Sequence, residues 1–203
     1  MKTIQRHWRE KKLAGMTMPG LCIDLGCGKQ RYAHGYTRLI TVDGNPEAHA
    51  DLKLDLERPL PFAEGYADTV MLLDVLEHIY HYEQLLRESC RILKPGGRLI
   101  WAVPMLMAEH RAGDYLRDYN RFTMDSLPRL FDDAGFSSWE WDVLRPGPLT
   151  AAVNLVAQEL HWEWLFHSAL AMVRPFDWAW CRWRKWGDSW MVYAIEYMGT
   201  ATK

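Results

Sequence analysis

Apolar residues in this chain gather in short runs that alternate with stretches of helical spacing. Residues 21–25 form an apolar run that ends at Gly26 and Gly28, and residues 38–42 form a second that ends at Asp43. A weaker third lies at 50–54. Residues 68–73 read Asp-Thr-Val-Met-Leu-Leu, and their apolar run predicts a buried parallel strand. From 82 to 93 the apolar positions fall at helical spacing, and Lys94-Pro95-Gly96-Gly97 supplies a stop. Residues 97–103 predict the next strand. Thr123 predicts a helix cap, with a helix over 124–134 closed by Gly135, and 138–144 predicts a further strand. Alternation of this kind predicts crossover units on a doubly wound, mostly parallel sheet, an α/β fold.

The pattern changes after Arg145-Pro146-Gly147-Pro148. Residues 150–173 are strongly apolar and helix-prone, and Trp178, Trp180, Trp183, Trp186 and Trp190 crowd the stretch 176–190. Residues 191–197 predict the last of seven strands. Residues 149–188 are therefore expected to be a helical, Trp-rich insertion within a single domain spanning 1–203. Four readings of it stand: a cap that completes the core, a lid over an apolar acceptor pocket, a membrane-interfacial surface, or a homodimer interface. The interfacial reading rests on tryptophans interleaved with Arg182, Arg184 and Lys185. Residues 1–18 carry Lys2, Arg6, Arg9, Lys11 and Lys12 and predict a solvated basic helix or arm.

Composition narrows the field. A chain of 203 residues, nearly half of them hydrophobic, can bury a sizeable core. Its net charge of -2 carries no single-sign field, so nucleic acid is not the expected partner. Cys22, Cys27, Cys90 and Cys181 form no CxxC pair and match no zinc spacing, so no metal is expected. The first twenty residues lack the apolar stretch of a signal peptide, and no run of 18 uncharged apolar residues occurs. A reducing, cytoplasmic setting is expected. A place at the inner face of the membrane follows if the insertion is interfacial.

The chemistry begins at Ile23-Asp24-Leu25-Gly26-Cys27-Gly28. A strand enters a turn whose glycines permit positive φ and close approach of a ligand. A dinucleotide fold would want a third glycine, and that position holds Arg31. Asp43, at the end of the next strand, suits the two hydroxyls of a ribose. It equally suits a turn before Gly44-Asn45-Pro46. Further on come Leu60-Pro61-Phe62, Asp68, Leu76-Glu77-His78 and Leu93-Lys94-Pro95-Gly96-Gly97. In this order and spacing the chain, over about 20–144, resembles the class I S-adenosylmethionine-dependent methyltransferases of the bacterial small-molecule and glycan type. The resemblance implies a Rossmann-like methyltransferase fold with S-adenosylmethionine as cofactor and S-adenosylhomocysteine as product. It implies that Asp24, Gly26, Cys27 and Gly28 line the cofactor loop and that Asp43 and Gly44 meet the ribose. Asp55 and Leu56 would lie by the adenine, Asp74 by the amino-acid end, and His78 would line the site. A cofactor with cationic sulfonium and ammonium groups suits carboxylates at strand ends. Lys29-Gln30-Arg31, where the family commonly has a small residue, departs from the pattern.

The acceptor side is expected after the fifth strand. Asp118-Tyr119-Asn120-Arg121-Phe122-Thr123 resembles a DYxRFT element found in many bacterial members. His110, Tyr119 and Arg121 are the catalytic candidates, with His110 as base should the acceptor lose a proton. Thr123 as a cap and Arg121 in a structural ion pair are the competing structural readings. The implied reaction is in-line methyl transfer to a small-molecule or glycan/lipid-linked acceptor. Two alternatives remain in view: a non-catalytic module that binds S-adenosylmethionine or S-adenosylhomocysteine, and a nicotinamide-dependent oxidoreductase.

Overall fold

A computed structural model describes residues 4–29, 35–109, 116–144, 147–160, 163–184 and 194–203. The strands are β1 (Met18–Leu25), β2 (Tyr36–Asp43), β3 (Leu52–Lys53), β4 (Ala67–Leu73), β5 (Leu93–Pro104), β6 (Ser138–Leu144) and β7 (Glu196–Thr202). They form one sheet in the order β3-β2-β1-β4-β5-β7-β6. β7 runs antiparallel to both β5 and β6, while β1 to β5 pair in parallel. The expected seven-stranded, mostly parallel α/β architecture is present.

Alternation along the central strands divides the core into two layers. Ile23, Val70, Leu72, Leu99 and Trp101 point to one face, where α2 (Tyr82–Ile92) and α3 (Ser126–Ala134) cover them. Cys22, Met71, Leu73, Ile100 and Ala102 point to the other, where α1 (Ile4–Ala14) packs Leu13 and Trp8 on them. Both faces are covered, which is why these strands read as unbroken hydrophobic runs. Burial pushes the Cys22 thiol up to about 12, so it acts as a small apolar side chain. α4 (Pro148–Leu160) and α5 (Glu163–Arg184) form the insertion and meet α1 where Ile4 and Val153 pack on Leu170.

Several local expectations are corrected. The helix stops before 94–97 as expected, with α2 closing at Ile92, but the next strand begins at Leu93 and not at 97, stepping out of register between the pairs Ala67–Leu93 and Thr69–Arg98. Thr123 is not a side-chain cap. Ser126 Oγ donates to its carbonyl at 2.9 Å and accepts its amide at 3.0 Å, so α3 starts at Ser126. α5 runs through Pro175, where the ring removes one amide donor without ending the helix. The last strand starts at Glu196, where it meets the ends of β5 and β6, and residues 191–193 of the expected strand lie outside the described residues.

α1 corrects another expectation. Its buried stripe is Gln5, Arg9 and Leu13, so Arg9 is not a solvated arm residue. Arg9 Nη1 donates to Asp74 Oδ2, and its Nε stands 3.0 Å from Glu196 Oε1. Glu196 is 1% exposed, and burial together with Asp74 holds its carboxyl well above the ordinary range despite Arg9. Glu77 lies in the 3-10 turn Leu76–His78 and is 0% exposed. Neither of its carboxyl oxygens has a hydrogen-bond partner among the described residues. Burial, then Asp74, push its pKa well up.

Two outcomes follow from these buried charges. Arg9→Met leaves Asp74 and Glu196 without their guanidinium and is expected to cost about 3–5 kcal/mol, read from the denaturant midpoint. Glu77 holds its proton more tightly in the folded chain than in the unfolded one. Its contribution is therefore intact at low pH and is lost as pH rises through the raised folded pKa. Glu77→Gln removes that loss. Thermal unfolding should show a gain of at least about 2 °C at pH about 8 and none below about pH 4.

Candidate active site

The site is built where the strand order reverses. β2 lies on one side of β1 and β4 on the other, so the chains leaving β1 and β4 part in opposite directions and open a crevice. After Leu25 the chain turns back over β2, with the amides of Gly26 and Cys27 donating to Val42 O at 2.7 and 3.2 Å. Gly26 has φ +77°, and a Cβ there would lie 2.4 Å from Val75 Cγ2. Gly28 has φ +62°, and a Cβ there would meet nothing within 4 Å, because the residue faces open space. The first glycine is required by a neighbour, the second by the backbone turn.

Asp43 closes this loop. Gly28 N donates to its Oδ2 at 2.7 Å, and Asn45 N donates to its Oδ1 at 2.7 Å. Each carboxylate oxygen spends one acceptor site on a backbone amide and keeps capacity for another donor. The turn-forming and ligand-facing readings of Asp43 are therefore both satisfied, because the side chain also lines the cleft.

That cleft has a volume of about 710 Å³. Of the expected cofactor residues, Gly26, Gly28, Asp43, Gly44, Asp55, Leu56, Asp74 and His78 line it. Asp24 and Cys27 do not. Asp24 is buried in β1, and the Cys27 thiol lies 3.7 Å from Gly28 O. Asp74 reaches the cleft from the end of β4 with φ +55°, a left-handed conformation rare outside glycine. Its amide donates to Ala102 O at 3.1 Å, which fixes that turn to β5. Asp55 is held by the Glu57 amide at 3.0 Å and by Arg58 at 3.2 Å. Lys29, Lys53, Val75 and Arg117 also line the cleft and were not anticipated. Lys53 braces the turn after Asp43, donating to Asn45 O at 2.7 Å. Its place on a two-residue edge strand leaves no pattern to read, whereas Val75 could have been found as the neighbour of Asp74.

The segment expected to face the acceptor is strapped across the 3-10 turn. The amides of Tyr119 and Asn120 donate to Glu77 O at 2.8 and 3.2 Å, and Asn120 Nδ2 donates to Ile79 O at 3.0 Å. His78 Nδ1 stands 2.5 Å from Arg117 O. This brings Tyr119, half exposed, to the cleft wall. Arg121 points elsewhere. Its Nη2 donates to Asp118 Oδ2 at 2.7 Å, a two-pronged ion pair that holds its charge firmly, and it does not line the cleft. The structural reading of Arg121 is the one this geometry fits. His110 lies outside the described residues.

Comparison with known proteins agrees with this geometry. The family model described as "Methyltransferase domain" matches residues 23–101, from β1 through most of β5. The uncharacterized protein YafE of Escherichia coli (strain K12) is 33% identical over 115 residues, which is 57% of this chain and 52% of that protein. The ubiquinone/menaquinone biosynthesis C-methyltransferase UbiE of Laribacter hongkongensis is 44% identical over 41 residues, 20% of this chain and 17% of that enzyme. The chain thus spans about half or less of these relatives. A crystal structure of an S-adenosylmethionine dependent methyltransferase from Mesorhizobium loti superposes with a TM-score of 0.59 at 12% identity, covering 96% of both chains. The protein has the Rossmann-like fold of the S-adenosylmethionine-dependent methyltransferases, and its residues 23–101 match their methyltransferase-domain family.

Proposed function

We propose that this chain binds S-adenosylmethionine in the cleft over Gly26 and Gly28 and transfers its methyl group to a small-molecule or glycan/lipid-linked acceptor. The observation that carries the reading is Asp43. Its two oxygens, pinned by the amides of Gly28 and Asn45, present free acceptor capacity to a cleft of about 710 Å³ at the strand-order switch. A vicinal diol fits that arrangement. The missing third glycine of a dinucleotide loop counts against a pyrophosphate.

The residues present suit each part of the cofactor. Gly28 leaves room for close approach, Asp43 accepts from the ribose hydroxyls, and Leu56 offers an apolar wall to the adenine beside Asp55. Asp74 stands at the far side, its carboxylate suited to the ammonium end. The bound cofactor supplies a methyl carbon activated by a sulfonium. The acceptor's lone pair forms the new bond, the sulfur keeps the electron pair of the bond that breaks, and a proton leaves the acceptor when its nucleophile carries one. Holding the partners in line supplies much of the rate. Tyr119, on the cleft wall, is the described side chain best placed to orient an acceptor. The glycan/lipid-linked class draws on the likeness of Asp118–Thr123 to the DYxRFT element.

Calorimetry tests the reading. S-adenosylhomocysteine is expected to bind and NAD is not; binding of NAD alone would overturn it. Asp43→Ala should weaken S-adenosylhomocysteine by at least about tenfold, the worth of one hydrogen bond to a charged group. Because Asp43 also holds the loop, the control is methylthioadenosine against its 2′-deoxy analogue. The native chain should discriminate between them and Asp43→Ala should not. Binding with no transfer in a broad acceptor screen would make the chain a binding module instead.

A further inference from the structure

The insertion carries a surface that the proposed chemistry does not use. Along α5, Leu170 and Asp177 are buried and Val173 is half-buried, positions that fall on one helical stripe facing the fold. Asp177 is consumed there, accepting the amides of Leu149 and Thr150 at 3.0 and 2.8 Å and so holding the first turn of α4. The other described side chains of the helix between 171 and 182 face outward. Met172, Phe176 and Trp180 share one flank, and Phe176 is 68% exposed. Arg174, Trp178 and Arg182 share the other, and Trp178 is also 68% exposed. The Arg182 guanidinium sits over the Trp178 ring at 5.8 Å. An apolar groove of about 490 Å³ opens beside Phe176 and Trp180, walled by Leu149 and Ala179.

Folded soluble chains seldom leave large aromatics this exposed without a partner. The charges identify the partner's chemistry. Asp177 is the sole acidic residue between 171 and 184, and it is buried, so the surface offers aromatics and arginines in a chain of net charge -2. A second copy meeting this face across a two-fold axis would set arginine against arginine. A bilayer surface suits it instead. Aromatic rings occupy the boundary between headgroups and acyl chains, and guanidinium groups meet anionic phosphates. None of the described helices is long and apolar enough to cross a membrane, so the element would lie on the surface.

We propose that the α4–α5 insertion is an interfacial docking surface for anionic phospholipid, seated through Phe176, Trp178 and Trp180 and steered by Arg174 and Arg182. Its connection to the fold runs through α1. Ile4 of α1 packs on Leu170 beside Val153, and Arg9 of α1 reaches Asp74 in the cleft wall. The surface is thus one helix away from the candidate active site.

Co-sedimentation of the full chain with vesicles is the test. At low salt the protein should pellet with phosphatidylcholine vesicles containing phosphatidylglycerol, and not with phosphatidylcholine alone. Added salt should release it. Arg174→Gln and Arg182→Gln should each lower partitioning by about fivefold. Phe176→Ser combined with Trp178→Ser should abolish it, with circular dichroism confirming that the variant is folded. No pelleting with anionic vesicles, equal pelleting with neutral ones, or unchanged pelleting of these variants would overturn the proposal. So would a dimer in sedimentation equilibrium that Phe176→Ser/Trp178→Ser dissociates, without any lipid binding. None of these readouts depends on methyl transfer, so they fail or succeed independently of the proposed activity.

Discussion

The close approach of Gly26 to Val75 is the constraint on which the cleft depends. At the strand-order switch the turn after β1 passes so near the turn after β4 that a Cβ on Gly26 would fall 2.4 Å from Val75 Cγ2. With hydrogen in that place the first turn can fold back onto Val42, and the second can rise with Asp74 in its left-handed conformation. Gly28 then sits over open space within reach of Asp43. Asp74 is presented by one of these turns, and Asp43, at the end of β2, holds the other through the amide of Gly28.

Stability and site are coupled through buried charge. Arg9 enters from α1 to meet Asp74 and Glu196, and Glu77 is sealed beneath the segment that carries Tyr119. Burying these groups works against folding, because carboxyls deprived of water favour the neutral form. The two hydrophobic layers on either side of the sheet offset that cost. Arg9 thereby ties the N-terminal helix to the cleft wall, and Glu77 offers its backbone carbonyl as the anchor for 119–120. A core of apolar residues at these positions would hold the fold as well and would leave the cleft without its Asp74 wall.

Some features were legible from spacing alone. Asp43 stands out because an apolar run stops at it, and the glycine turn stands out because strands seldom end in two glycines, whereas the role of Asp74 came only through the resemblance. Arg9 was not legible. In a segment holding Lys2, Arg6, Lys11 and Lys12 it looks like one more solvated cation, and a partner 65 residues away leaves no local trace. Arg121 was read two ways, since an arginine three residues after an aspartate suits an ion pair as well as an active site. The geometry matches the ion pair. Lys94-Pro95-Gly96-Gly97 was read correctly as the end of the helix, but the strand expected from 97 begins at Leu93, because a strand can step out of register and resume.

The sequence by itself determined the elements, the doubly wound sheet and the identity of the loop that would cradle a ligand. Those depend on periodicity and on residues whose conformational limits are local, such as the glycines at 26 and 28. Tertiary structure alone decided which charges are buried, which side chains meet across the cleft, and which face of α5 is left outward. Burial and pairing are properties of segments brought together from distant parts of the chain. Hydrophobic spacing says where a helix or strand forms, and only packing says what each of its polar groups has lost or found.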